Sequence, residues 1–334
     1  MRALTAFSAL VLLAATTSPA GEFALPITVE EPAGLARKGE PVSGGIPLPA
    51  GAFKKGQAFA LFDGEKEVPL QALPLVVEAD GALRWVLLDF QTDLGAKEKK
   101  TFTLKAAAPT AKPAQAVKVT EGGDGVTVDT GKVKFTVAKG QPFSLISSAE
   151  AGGKPVLSGG EAGYVDGFSG KRYVAGKPES VTVDYAGPMR ATVCVKGRFV
   201  GDDDTKILYI ARLTAWAGRS DVHVKYSIAN SNPDHYCYRQ VKDSTVKLKL
   251  ASAPESVLIG AGKALEAPAE CWLQQSSRAT SAVCHSHDSL GGASWARKTP
   301  GGCKAAGGDG KELWSGKSSN GWMAAKSGGA AVWV

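Results

Sequence analysis

The sequence predicts an all-β chain, a small barrel or sandwich followed by an antiparallel β-sandwich. Three observations carry that expectation. After residue 24 no stretch keeps an apolar period of 3.6 residues over three turns, so no long helix is expected. Short runs rich in Val, Ile, Thr, Phe and Tyr alternate apolar with polar positions, the pattern of strands with one face in a core. Forty Gly and eighteen Pro separate those runs, which is turn chemistry. The 334 residues are 44% hydrophobic and 21% charged, ordinary for a globular chain that buries a core.

The chain opens on "MRALTAFSALVLLAATTSPAGEF". One Arg, a short apolar stretch and small residues before a cut after Ala20 predict a secretory signal peptide at 1–20. The mature chain is therefore expected to be secreted or periplasmic. No later run approaches the roughly 18 apolar residues of a membrane span.

Residues 24–105 read as one domain. "LPITVEE", "QAFALFD", "KEVPLQAL", "LRWVLLDFQTD" and "KTFTLK" are β-prone runs separated by "DGE", "ADG" and "LGAKEK". The Ala/Pro/Thr stretch 106–116, "AAAPTAKPAQA", lacks large apolar side chains and reads as a linker. Limited proteolysis is expected to nick it first, with separately packed units on either side. From Val117 to Val334 a second domain is expected. "KVKFTVAK" alternates cleanly, and "ESVTVDYAG", "MRATVCVKGRFV", "TKILYIARLTAWAG" and "DVHVKYSIAN" follow, joined by turns such as "GDDD". Long alternating strands in meander order argue for a sandwich with one wet face per sheet. After about residue 270 the pattern loosens into a Gly- and Ser-rich stretch.

Without Arg2 the mature chain carries 38 basic and 32 acidic residues. A modest positive charge suits weak attraction to an acidic polymer. Nucleic acid is a poor fit, because no basic stripe with interleaved aromatics occurs. The sequence does not fix the oligomeric state.

Groups that could carry chemistry are few. In "CHSHD", His285 and His287 point the same way if the segment is extended. The paired spacings of structural zinc are absent, so no metal site is expected there. A polar loop is the favoured reading, with sugar contact by the two His as the functional one. His223, between Val222 and Val224, reads as a surface His on the polar face of a strand. The "DDD" run at 202–204 reads as a hairpin tip rather than a calcium site. Trp272, Trp295, Trp314 and Trp322 fall late in the chain. Core packing is favoured for each, and stacking of Trp295 and Trp314 on sugar is the alternative. No G-x-S-x-G elbow and no phosphate loop occurs. All five Cys lie in the second half. Cys284 and Cys303 are the preferred disulfide, because a staple would offset the chain entropy of the loose stretch. Cys194 and Cys237 pair only if their strands are neighbours.

The "GIPLPAGA" entry, "VPLQ" at 68–71 and "DGALRWVLLDFQ" at 80–91 resemble the N-terminal RIFT barrel of the exo-acting rhamnogalacturonan lyase (YetA-like) family. "DTGKVKFTV", "GPMRATVCVKGRF" and "LTAWAGRSDVHVKYSIANSNPD" are similar to that family's central β-sandwich; "WLQQSS" and "SNGWMAAKSGGAAVWV" match less closely. The resemblance implies β-elimination on the rhamnogalacturonan backbone of pectin, with an acidic plant cell-wall polysaccharide as partner and no cofactor. It also implies a C-terminal α/α toroid. None is present, so the chain is expected to be a truncated form that is inactive alone. The resemblance carries no catalytic residue onto this chain. His285, His287, Arg278 and Lys311 have suitable chemistry without a matched motif. The alternative is an exported carbohydrate-binding or cell-surface structural module without catalysis.

Overall fold

The computed structural model describes residues 11–12, 23–203, 205–231, 241–276, 302–317, 319–327 and 330–334. As predicted, the fold is all-β: the described residues form 25 strands and no helix. None of them therefore forms a helix long and apolar enough to cross a membrane. Compactness divides the chain into one unit that ends at Lys249 and another that begins at Leu250.

The first unit starts with β1 (Val11–Leu12), β2 (Ala24–Glu30), β3 (Arg37–Pro47), β4 (Ala60–Asp63), β5 (Lys66–Val68), β6 (Leu70–Val77), β7 (Leu83–Leu94) and β8 (Lys99–Lys105). They form two sheets, ordered β1-β2-β8-β4-β5 and β3-β7-β6. Alternation explains the core between them. Leu25, Ile27 and Val29 point inward from β2, Val86, Leu88 and Phe90 from β7, and Phe102 and Leu104 from β8, all nearly fully buried. Each such side chain contributes about 1.5–3 kcal/mol by leaving water. The connection after β2 is tied by Glu31, whose carboxylate accepts the backbone N–H groups of Ala33, Gly34, Leu35 and Lys97. Burial pushes the Glu31 carboxyl up, but those four donors outweigh it and hold it at about 2.

Residues 106–116 form no strand and are mostly exposed. They are not the boundary of compactness. The strands on either side belong to one unit, because polar side chains from the β3-β7-β6 sheet bond to residues 189, 190 and 217 beyond the linker.

Beyond the linker come β9 (Lys118–Glu121), β10 (Gly125–Asp129), β11 (Val133–Ala138), β12 (Ser148–Ala151), β13 (Lys154–Asp166), β14 (Arg172–Ala186), β15 (Arg190–Val200), β16 (Ile207–Trp216), β17 (Val222–Asn230) and β18 (Val241–Leu250). From β9 to β17 each strand pairs antiparallel with the next, the meander expected from the sequence, and β18 pairs with β13. Val193, Val195, Phe199, Tyr209, Ala211 and Leu213 are buried on the inner side. Phe143, from the connection between β11 and β12, stacks on Tyr209 of β16 at 4.8 Å, so one part of the meander covers another. Gly197 makes room for the Tyr209 hydroxyl, which donates to the carbonyl of Gly176.

The second unit holds β19 (Ser256–Gly260), β20 (Ala264–Ala267), β21 (Cys271–Ser276), β22 (Gly302–Gly307), β23 (Glu312–Gly316), β24 (Met323–Ser327) and β25 (Ala330–Trp333). Its sheets run β20-β19-β24-β25 and β21-β22-β23 around a small core of Ile259, Ala261 and Ala305. The last strand has a partner. β25 pairs with β24 from Ala330 to Trp333, and Val334 exchanges backbone hydrogen bonds with Met323.

Candidate functional site

The outer face of strands β14 to β17 gathers the polar side chains of the first unit's meander. Strict alternation puts Arg190, Thr192, Cys194, Lys196 and Arg198 on the same side of β15. Register then sets Thr192 beside Thr214, Cys194 beside Arg212 and Lys196 beside Ile210. On the next strand Thr214 faces His223 and Arg212 faces Lys225. Thr192 and Thr214 share a hydrogen bond of 2.9 Å. A register shift between Val183 and Tyr185 marks a bulge in β14. It turns Asp184 onto this face, where its carboxylate takes bonds from Arg212 Nε and Thr182 Oγ1, both at 3.2 Å.

Charge on the face is mostly positive. Asp184 neutralises Arg212, and Glu179 pairs with Arg198 at 2.9 Å. Lys196 and Lys225 are exposed, and no described carboxylate lies within ion-pair distance of either. The Cys194 thiol sits beneath this cluster, buried and free. Burial pushes its pKa up, Asp184 adds to that, and Arg212 and Lys196 pull against it. A protonated, buried thiol is a packing group rather than a nucleophile.

One end of the face is bolted to the β3-β7-β6 sheet. Gln71 Oε1 accepts the backbone N–H groups of Met189 and Arg190, each at 3.0 Å, and Gln71 Nε2 donates to the Arg190 carbonyl. Asp89, wholly buried, meets Arg190 Nε at 3.0 Å. That contact is a charge pair, since neither carboxylate oxygen has a well-aligned hydrogen bond. The guanidinium lies between the rings of Tyr185 and Trp216, 4.7 and 5.8 Å from their centroids. Burial raises the Asp89 carboxyl above its ordinary range, against the pull of Arg190 and Ser43. Gln91 Nε2 donates to the Ala217 carbonyl and completes the junction.

Of the residues singled out from sequence, His223 and Cys194 belong to this face. His285, His287, Trp295 and Cys284 lie outside the described residues, as do Arg278 and Cys237. Trp314, half-buried on β23, packs against the small core of the second unit, and a Cβ at Gly316 would meet its ring at 2.5 Å. Cys303 is a buried free thiol on β22. His223 is exposed on a polar face, as its neighbours suggested. Asp203 pairs with Lys171 and accepts the Tyr173 hydroxyl, so it ties the turn before β16 to β14. No group of three potential metal-ligating side chains forms among the described residues.

Comparison with known proteins bears on the meander. Residues 117–238 match the family model described as the PcRGLX-like protein central beta sandwich domain. That segment is similar to this family's central sandwich. It runs from β9 through β17 and so contains the basic face. An alpha-mannosidase from Enterococcus faecalis V583 resembles the chain at a TM-score of 0.40 and 11% identity, over 71% of this chain and 32% of that one. The chain therefore spans about a third of that protein's length. No curated protein matches.

Sequence reasoning did not single out the basic face. Part of the signal was present: "MRATVCVKGRFV" puts Arg, Thr, Cys, Lys and Arg at alternate positions, while "LYIARLTAWAG" adds only Arg212 and Thr214. Register alone shows that these positions are neighbours.

Proposed function

We propose that the chain supplies β-domains of an exported polysaccharide lyase related to the rhamnogalacturonan lyases, and that these domains bind the acidic pectic chain rather than cut it. The observation that carries this reading is the match of 117–238 to the PcRGLX-like central sandwich. The basic outer face of that segment supports it. Lys196 and Lys225 offer two cations without counter-ions among the described residues, fitting the carboxylates of a uronate polymer. Thr182 and Thr214 add hydroxyl groups suited to sugar hydroxyls. Sugar contact by His285, His287, Trp295 and Trp314 belongs to the same reading, as does a first domain of RIFT-barrel type over 24–105. So does removal of a signal peptide after Ala20.

β-Elimination would require a base at C5 of galacturonate and a cation neutralising its carboxylate. The test is to incubate purified chain with rhamnogalacturonan. Retardation in an affinity gel without growth of absorbance from unsaturated uronate is expected. Steady product formation would place catalysis in this chain, and absence of retardation would refute binding.

A further inference from the structure

The outer face of the β3-β7-β6 sheet is polar at one end and apolar at the other. Register sets out its rows: Ser43, Asp89 and Gln71; then Gly45, Leu87 and Leu73; then Pro47, Trp85 and Val76. The first row forms the junction with Arg190 described above. In the third row Trp85 is 42% exposed, and Leu75 and Val76 beside it are 43% and 46% exposed. Gly45 is the floor of this patch. A Cβ there would stand 3.2 Å from Leu75 Cδ1 and 3.5 Å from Trp85 Cε3, so the indole and the leucine lie against bare backbone.

The rim is polar. Arg84 pairs with Glu78 at 3.1 Å, and Lys54 with Asp80 at 3.3 Å, around the turn that joins β6 to β7. An exposed indole with apolar neighbours and a rim of donors and acceptors matches a pyranose ring, which presents an apolar face edged by hydroxyl groups. The patch and the basic face also belong to one compact unit and are joined through the buried Asp89–Arg190 pair. Trp85 lies four residues from Asp89 on β7, Asp89 touches Arg190, and Arg190 lies six residues from Lys196 on β15. At about 3.3 Å per residue, with roughly 10 Å more for the Asp89–Arg190 side chains, Trp85 and Lys196 are separated by at most roughly 45 Å, a span of several sugars.

We propose that Trp85, with Leu75 and Val76, is a stacking subsite for a neutral sugar of the same polysaccharide whose carboxylates meet Lys196 and Lys225. This rests on the reading of the basic face given above. The ligand is then an acidic polymer interrupted by neutral rings, and a pure uronate chain would use the basic face alone.

The experiment measures binding of rhamnogalacturonan oligosaccharides and of oligogalacturonates to the full chain and to three variants, Trp85→Ala, Trp85→Phe and Lys196→Ala with Lys225→Ala. Trp85→Ala is expected to weaken rhamnogalacturonan binding about tenfold, the scale of one aromatic contact, and to leave oligogalacturonate binding unchanged. Trp85→Phe is expected to keep most of the affinity. The double lysine variant is expected to lose both ligands. If Trp85→Ala changes neither affinity while the lysine variant loses both, the subsite is refuted and the basic face stands. If the unaltered chain binds neither ligand, the basic-face reading fails and the subsite with it. If Trp85→Ala instead changes the sedimentation of the chain and not its ligand affinity, the patch is an interface between copies and the proposal is overturned.

Discussion

Replacing Asp89 with Ala tests the junction that fixes the basic face. Asp89 is wholly buried, and the Arg190 side chain is only 11% exposed, so the variant leaves a guanidinium with little water and no counter-charge. Removing one partner of such a pair costs about 3–5 kcal/mol. The rings of Tyr185 and Trp216 offset part of this, which favours the lower end. A loss of about 3 kcal/mol lowers the melting point of a unit this size by roughly 6–12 °C. Amide exchange along β15, measured against urea, reads this unit apart from the one beginning at Leu250. Exchanging both charges for apolar groups, Asp89→Leu with Arg190→Met, is expected to recover most of the loss. A single variant costing under about 1 kcal/mol, or a double variant as unstable as the single, would refute the reasoning. The pH dependence has a definite sign. The folded carboxyl titrates above its ordinary value, so its contribution is full below the ordinary value of 3.8 and is lost as pH rises through the folded value. Asp89→Asn is expected to flatten that slope.

Other perturbations have equally specific outcomes. Gly187→Ala puts a Cβ 2.3 Å from Gln71 Oε1 and displaces its bonds to residues 189 and 190, so faster amide exchange at Met189 and Arg190 is expected. Gly197→Ala drives a Cβ to 2.3 Å from the Tyr209 hydroxyl, and urea unfolding is expected to show a loss of about 1–3 kcal/mol from overpacking. Glu31 titrates below its ordinary 4.5, so protection of the 33–35 amides is expected in full above pH 4.5 and lost as pH falls through about 2; Glu31→Gln should abolish that dependence. Polysaccharide retention should fall steeply between 0.1 M and 1 M salt, as the screening length drops from about 10 Å to 3 Å.

Much of the fold was legible because alternation is local. The run Val133, Phe135, Val137 marks its core face in the letters themselves, and the meander follows from long strands joined by tight turns. The junction was not legible. Gln71 and Arg190 lie 119 positions apart, and no periodic signal links them. The composition of 106–116 predicts separately packed units, yet Gln71, Asp89 and Gln91 on one side contact residues on the other. The basic face depended on register and on the bulge at Asp184, both set by long-range pairing. Trp314 drew notice as an aromatic, and it packs in part against a small core.

The most direct test of the account is affinity electrophoresis of the full chain and of its Lys196→Ala, Lys225→Ala variant through gels containing rhamnogalacturonan. Both lysines are exposed, so the variant is expected to melt like the original chain. Retardation of the original chain and its loss in the double variant are expected. Equal retardation of the two would show that the basic face is not where this chain holds its polymer.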